Sequence, residues 1–591
     1  MKIIERTLPW FLFLVLLTWG WRVRDWFNAI PTYGDVLEVL WGIAWYGEHF
    51  FTGEFFFARV FHPAGWDIFL FGYGPGLFIQ LIPLYKFGGA AFAFNAATLL
   101  SFFIAFAGMY NLARRGTRSH WIATLAGLAY TFWGFRWIRI HGHLNVLIAT
   151  ALLPWMVWCI ERGTSSSRRA WGWFALTGIL WAVASANHLY FVWIGGFLLV
   201  GWIGGCVLNR RIQARVALAS ISVASVAMVV ASAPFVFVFA RANISAGASL
   251  YNIDELTFYS ASLNSIFIPA LYHPLLADFA RQLYTAPLDE SAVANFGIVT
   301  GALALRGLAR VTQDKTHVPA VVLMCVGIIF AFGLFAKWDR ALVQVDWLAP
   351  INKIIWRFAH QLKPDFFASA PPAPFERAVP LPGLLLVALV PFIEGARVFS
   401  RYAFVASIGL FLLAAQEIRR MSKPIPRVAL ALVLIFEIIP PPSGNFAYPP
   451  PTHPAFEWLR ENTLPDEAII DLSAAGDRAR LLIRAETLAA TDYHQRATVA
   501  GSSSVLPAHT KFLNDWLLAH PNPFADREFI PMLRSYRADW IVLHILGVDE
   551  RALRDHAQLN SQVQFAQCFD PPRASSPLNY PICIFKILPS P

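Results

Sequence analysis

The sequence predicts a polytopic, mainly α-helical membrane protein with a small α/β domain at its C-terminal end. Two observations carry this. Of 591 residues, 57% are hydrophobic and 14% charged, with a mean hydropathy of +0.50, whereas soluble globular chains are about 25% charged. The apolar residues are also gathered, in runs of roughly 16–24 that recur from Leu8 to Pro440, and about 20 such residues cross about 30 Å of hydrocarbon. Past Pro440 the pattern changes to short apolar stretches separated by polar ones. A cytosolic enzyme, a secreted disulfide scaffold and a disordered chain are excluded.

Lys2 and Arg6 precede the first apolar run, and no small-x-small cleavage site follows it. This is the pattern of an uncleaved signal anchor with a cytoplasmic N-terminus. Five basic clusters then punctuate the chain: Arg114/Arg115/Arg118, Arg162/Arg168/Arg169, Arg210/Arg211/Arg215, Arg306/Arg310/Lys315 and Arg419/Arg420/Lys423/Arg427. Each lies in a short connection, where lysine and arginine mark the cytoplasmic side. Placing all five inside yields about 11 transmembrane helices, near 8–24, 92–111, 120–138, 144–161, 171–186, 189–208, 216–238, 292–309, 318–336, 399–418 and 425–440. Segments 69–85 and 381–393 are apolar but broken by Gly and Pro, and are expected as interfacial or re-entrant pieces. The long connections, 22–91, 239–291, 337–398 and 441–591, then all fall outside. The net charge of +10 reflects this topology, so no nucleic acid is expected as a partner.

Residues 1–440 thus form a membrane domain with 22–91 as its first outer loop, and 441–591 a soluble extracytoplasmic domain. Pro440-Pro-Pro-Ser-Gly and Tyr448-Pro-Pro-Pro-Thr mark a stiff linker. Beyond it, Ala468–Leu472, 497–501, 539–544 and 582–588 read as strands, with helices near 454–461 and 511–518. Of the five cysteines, Cys159, Cys206 and Cys325 sit in or beside apolar runs as small hydrophobes. Cys568 and Cys583 pair if the tail is exported and stay reduced if it is not.

Polar residues collect at the outer ends of the spans. In the first loop Asp35 and Glu38 are three apart, sharing a helix face beside apolar Leu37, Leu40 and Trp41. A carboxylate at the membrane surface can act as a general base or help hold a divalent cation. The same spacing also suits an N-cap and its capping partner. Arg59 and His62 precede a Pro-x-Gly turn. The hairpin between the third and fourth spans crowds Arg136, Arg139, His141, His143 and Asn145 into ten residues. Arginine forks bind phosphate, or snorkel to the interface. His141 and His143 are two apart, so they do not face one another on a helix, and no zinc site is read there. His188 occupies the matching turn between the fifth and sixth spans. Glu394 and Arg397, before the tenth span, are expected as a boundary ion pair. Walker A, dinucleotide, HExxH and GxSxG motifs are absent from the sequence.

This layout resembles the GT-C superfamily of integral-membrane glycosyltransferases, nearest to a large bacterial branch that includes YfhO-like proteins. The matching pieces are Gly34-Asp35, His62-Pro-Ala-Gly65, Asn95, Gly142-His143-Leu-Asn145, Tyr272-His-Pro274, Asn295-Phe-Gly297, Arg397 to Tyr402, Tyr493-His-Gln495 and Ala538-Asp-Trp-Ile-Val-Leu-His544. The resemblance implies transfer of a sugar from a polyprenyl-phosphate donor to a glycan, lipid or protein acceptor on the outer face of the bacterial plasma membrane, with inversion. The residue similar to Asp35 is the catalytic base in such enzymes. Glu38, Arg59, His62, Arg136, Arg139, His141, His143, Asn145 and His188 are the expected substrate contacts. No Asp-x-Asp or Glu-x-Asp pair follows Asp35, so a divalent cation, Mg or Mn, stays open as a cofactor without an assigned ligand pair. Two other classes compete: a transporter or flippase of lipid-linked sugars, and a non-catalytic cell-envelope polysaccharide assembly protein. The absence of an internal repeat, and polar residues at the boundary rather than mid-span, favour the enzyme over the transporter.

Overall fold

A computed structural model describes residues 2–21, 25–31, 35–67, 74–165, 169–246, 252–286, 294–442, 446–447, 453–472, 490–491, 493–499, 501, 507–520, 522–545, 548–571 and 580–589. Gly34, Arg168 and residues 69–73, named above, lie outside these.

Each expected span corresponds to a helix. They are α1 (Lys2–Gly20), then α2 (Val36–His49) in the first loop, α3 (Pro75–Thr117), α4 (His120–Phe132), α5 (Leu144–Thr164), α6 (Ala170–Asn187), α7 (Tyr190–Leu208), α8 (Ala214–Ala246), α9 (Ile298–Ala309) and α10 (Val318–Ala331). After the loop helices α11 (Ala349–Leu362) and α12 (Pro382–Leu389) come α13 (Ala403–Arg420) and α14 (Pro424–Glu437). Among the described residues five helices are long and apolar enough to cross a membrane unaided: α3, α5, α7, residues 214–236 of α8, and α13 with its preceding turn. Others are short for a full crossing. The 13 residues of α4 rise about 20 Å at about 1.5 Å each. Its chain then leaves the helix at Trp133 and resumes as a helical turn, Gly134–Trp137, and a 3-10 turn, Ile138–Ile140.

Of segment 69–85, expected as an interfacial piece, the described part begins a helix at Pro75 that is joined to the long part of α3 at Gly89, whose φ of 79° breaks the helical path. Segment 381–393 holds the eight-residue α12, which stops at Val390.

The basic clusters converge on one end of the bundle, and two buried acids organise them. Glu161 accepts two hydrogen bonds from Arg211 at 2.8 Å, and one from Trp202 at 2.8 Å, with Arg115 at 3.9 Å. Glu417 takes Arg310 at 3.0 Å, Arg306 at 3.4 Å and Arg420 at 3.0 Å. Arg419 donates to the Gly116 carbonyl, and Asn209 to that of Lys315. All five expected clusters therefore share a face. A carboxylate taken from water needs such charged donors to offset its desolvation.

The opposite end carries the loops. Asn95, buried in α3, donates to the carbonyls of Trp26 and Ala29 and pins the first loop. Trp19 at the end of α1 donates to Pro440 at the end of the last helix. The C-terminal part forms a five-stranded mixed sheet of β1 (Ala468–Leu472), β2 (Ala497–Thr498), β3 (Ala538–His544), β4 (Val563–Phe569) and β5 (Ile582–Ile587) in the order β4-β5-β3-β1-β2. β1 runs parallel to β2 and β3, and the β3-β5-β4 side is antiparallel. The expected strands form; β4 was not expected, because its glutamines and exposed register suit an edge rather than a core. Cys568 and Cys583 face each other across β4 and β5 and are joined as a disulfide. Inside the sheet Asp471 and His544 form a fully buried pair at 2.9 Å.

The sheet does not end at β2. The Thr498 amide donates to the Arg59 carbonyl at 2.8 Å, and the His62 amide to the Thr498 carbonyl at 2.9 Å. A segment of the first loop thus adds to the sheet's edge, which seals the unpaired row of amides that an edge strand otherwise exposes. Ile30–Pro31 pairs likewise with Phe446–Ala447. Tail and first loop stand on one side of the membrane domain.

Candidate active site

The site is assembled where helices end on the loop side. Asp35 is the N-cap residue of α2, but its side chain makes no hydrogen bond to the helix amides. Its carboxylate lies 3.9 Å from His143 Nε2 and is 44% exposed. Gly142 sets this approach. Its φ is +104°, and a Cβ there would lie 2.5 Å from the Asp35 nitrogen and 2.7 Å from its Cα. Only a residue without a side chain lets the hairpin backbone touch the first loop so closely.

Around His143 the structure gathers cations. Arg139, fully buried, lies over the Phe135 ring at 4.5 Å. Arg401 lies over Tyr190 at 4.9 Å and donates from Nη1 to His188 Nε2 at 3.2 Å. Arg397 covers the Tyr259 ring at 4.4 Å, and the Ser400 amide donates to the Tyr259 carbonyl. Burial drives the His143 imidazole well below its usual pKa, and Arg139, Arg401, His188 and Arg397 push it further down. His188 is lowered in the same direction by burial and then by Arg401 and Arg397. Both rings are therefore neutral at physiological pH. His141 is lowered by burial to about 4.

These groups sit at the ends of α5, α6 and α13 remote from the arginine-acid hubs. His143 precedes the first turn of α5 and Glu161 lies in its last, a separation of about 27 Å at about 1.5 Å per residue. Three arginines whose planes rest on aromatic rings keep their forks oriented. With neutral imidazoles beside them and a half-exposed carboxylate at the rim, the arrangement can hold an oxyanion such as phosphate next to a proton acceptor.

Of the expected site residues, the structure brings together Asp35, Arg139, His143 and His188. Glu38 is buried in the first turn of α2, and Asn145 Oδ1 accepts from the Val146 amide at 2.8 Å at the start of α5. Arg136 departs from expectation. Three residues before Arg139, it points inward, donating to the carbonyls of Thr131, Ser101 and Leu147 at 3.1–3.2 Å and lying over Phe102. It ties α3, α4 and α5 together and presents no fork to a ligand. Arg59 and His62 serve the tail contact through their backbones; the His62 ring looks toward Arg537, Asp539 and His509, and burial lowers its pKa. Glu394 pairs with Lys363 at 2.6 Å, not with Arg397. That correction transfers Arg397 to the site, together with Arg401, Tyr190 and Tyr259. The signal for them was a pair of arginines and two tyrosines at the outer ends of apolar runs.

Among the described residues no set of three or more His, Cys, Asp or Glu side chains is placed to hold a metal ion, and the donors nearest His143 are guanidinium groups. This set does not fit a Mg or Mn ion, which takes oxygen ligands.

No family model and no curated protein matches the sequence. Solved structures do match. The arabinofuranosyltransferase AftD from Mycobacteria aligns with 100% of this chain and 42% of its own, at a TM-score of 0.56 and 10% identity. At that identity the match shows a shared fold. The Archaeoglobus fulgidus oligosaccharyltransferase, solved with Zn and sulfate, covers 90% of this chain and 67% of its own at 0.47 and 12%. ArnT from Cupriavidus metallidurans, bound to undecaprenyl phosphate, covers 99% and 97% at 0.44 and 12%. This chain spans less than half the length of AftD.

Proposed function

We propose that this multi-pass membrane protein is a glycosyltransferase that moves a sugar from a polyprenyl-phosphate donor to a hydroxyl-bearing acceptor at the loop side of the membrane. The observation that carries the reading is the Asp35 carboxylate at the rim of the Arg139, Arg397 and Arg401 cluster, linked to it by His143 at 3.9 Å. The shared fold supplies a frame and the site supplies the chemistry.

In this reading the phosphate of the donor rests among the three arginines, and Asp35 faces the acceptor. Asp35 takes the proton of the acceptor hydroxyl as its oxygen bonds to the anomeric carbon. The bond from that carbon to the phosphate oxygen breaks, and the electron pair leaves with the phosphate, whose growing charge the guanidinium groups stabilise. One displacement inverts the anomeric centre. His143, neutral and 3.9 Å away, brings no charge that would neutralise the carboxylate.

The positive-inside rule puts the arginine-acid face in the cytoplasm, and so the N-terminus inside and residues 441–591 outside a bacterial plasma membrane. The tail disulfide supports that side, since such bonds persist in oxidising compartments. The short motifs cited above support a place near the YfhO-like branch. The test is transfer of radiolabelled sugar from a panel of polyprenyl-phosphate donors in membranes, wild type beside Asp35→Asn. Label reaching a glycan, lipid or protein in wild type, with a loss of about 10²–10⁴-fold in the variant, is expected for removal of a general base. Label that only crosses sealed vesicles indicates a flippase instead.

A further inference from the structure

The loop between α10 and α13 carries a surface that the site does not use. On α11, Asn352, Trp356 and Ala359 are buried. Asn352 donates to the carbonyls of Phe375, Glu376 and Ala378, and Trp356 stacks beside Phe375 and Phe335. That face fixes the helix to its own loop. The opposite face shows Ile351, Ile354, Phe358 and Leu362, all exposed, Ile354 to 68%, with Trp347 at 69% one turn earlier. Spacings of three and four place these side chains in one stripe. Leu385 and Leu389 of α12, the helix packed beside α11, are also exposed, as is Phe392. Arg357 borders the stripe, as does Lys353, whose ammonium pairs with Glu376 at 2.7 Å.

We propose that α11 lies in the membrane interface, with this stripe inserted among the acyl chains of the leaflet on the loop side and Arg357 directed at lipid phosphates. A water-soluble face does not present five large apolar side chains in register. The occupant follows from position: the loop springs from α10 and returns to α13 at the end remote from the arginine-acid hubs, and exposed Ile329 of α10 continues the apolar surface. A basic flank beside an apolar stripe is the pattern of an interfacial helix, whose apolar side sinks about 5–10 Å into the boundary of headgroups and chains. The helix is also coupled to the site. Lys363, one residue past its end, bonds the Val390 carbonyl at 2.8 Å and Glu394 at 2.6 Å, in the segment that leads to Arg397. Docking thereby sets the depth of Arg397 and Arg401 at the headgroup level. That consequence rests on the transferase reading; the docking itself does not.

The test is the full-length protein in vesicles of mixed zwitterionic and anionic phospholipid, with Cys159, Cys206 and Cys325 replaced by Ala and a nitroxide placed through Ile354→Cys, Phe358→Cys, Lys353→Cys or Arg357→Cys. All four positions are exposed, so the label displaces no packed side chain. Collisions with oxygen should exceed those with a water-soluble nickel chelate at 354 and 358, and the order should reverse at 353 and 357. Nickel access at 354 and 358 equal to that at 353 and 357 would overturn the proposal. Protection of 354 and 358 from both reagents would overturn it too, by showing a second copy or another protein on the stripe. The measurement needs no transfer, so it stands or falls apart from the enzymatic reading.

Discussion

Gly142→Ala is the substitution that tests the proposed geometry most directly, because it removes no chemical group. The new methyl carbon would meet the Asp35 nitrogen at 2.5 Å, and the contact must open by about 0.9 Å to reach 3.4 Å, the lower edge of ordinary contact. The atoms in the way are backbone, so they cannot rotate aside as a side chain would. Alanine at a φ of +104° adds strain of about 1–3 kcal/mol. A displacement of about 1 Å at a reacting group costs about 100-fold in rate, which is about 2.7 kcal/mol of transition-state stabilisation. The carboxylate should move off its axis toward the acceptor while the arginines stay in place. Transfer from a polyprenyl-phosphate sugar in detergent-solubilised protein should therefore show kcat reduced about 100-fold with donor KM nearly unchanged. Asp35→Glu in the same background should not restore it. The reasoning is refuted if Gly142→Ala, shown folded by a single cooperative thermal transition, retains kcat within a factor of three or so of wild type.

Other outcomes follow from the same contacts. Arg401→Gln removes a fork resting on Tyr190 and the bond to His188; donor KM should rise about 10–100-fold, as expected for a lost charged hydrogen bond of about 1.5–3 kcal/mol, and Arg401→Lys should recover only part of it. An equal loss in a variant that leaves donor binding intact would argue against a phosphate role. In the tail, burial first lowers His453 and His494 to about 4. Their folded-state values lie below the unfolded value of about 6.5, so the stability they confer is complete above about 6.5 and is lost as pH falls toward 4. Limited proteolysis of the tail should accelerate across that window, and a flat profile would contradict the burial. Cys568→Ser with Cys583→Ser opens a loop of 15 residues and should lower the tail's unfolding free energy by about 2–3 kcal/mol, read as the denaturant midpoint of tail fluorescence.

Much of this molecule is legible along one dimension, because hydropathy and charge act locally. A run of apolar residues must leave water whatever its neighbours do, so the helices at the expected spans and the gathering of five basic clusters on one face are legible in hydropathy and charge, whereas α11, with polar residues along its length, is not. The same holds for β1, β3 and β5, whose near-continuous apolar runs suit only a sheet interior. Asp35 and the His143 hairpin also stand out, since polar groups crowded beside apolar spans require partners.

Which partner each group takes was decided only in three dimensions. Arg136 and Arg139 are three residues apart, yet a break at Trp133 and a 3-10 turn aim one at backbone carbonyls inside the bundle and leave the other beside His143. Glu394 has a cation three residues along and chooses one 31 residues back, because α11 brings Lys363 to it. Arg59 and His62 read as a ligand loop, but the open edge of β2 claims their backbone. Side-chain direction depends on the packing of elements far apart in the chain, and no local pattern carries that information. Sequence alone determined the class of protein and where its long apolar helices fall; the tertiary structure chose the residues that face one another.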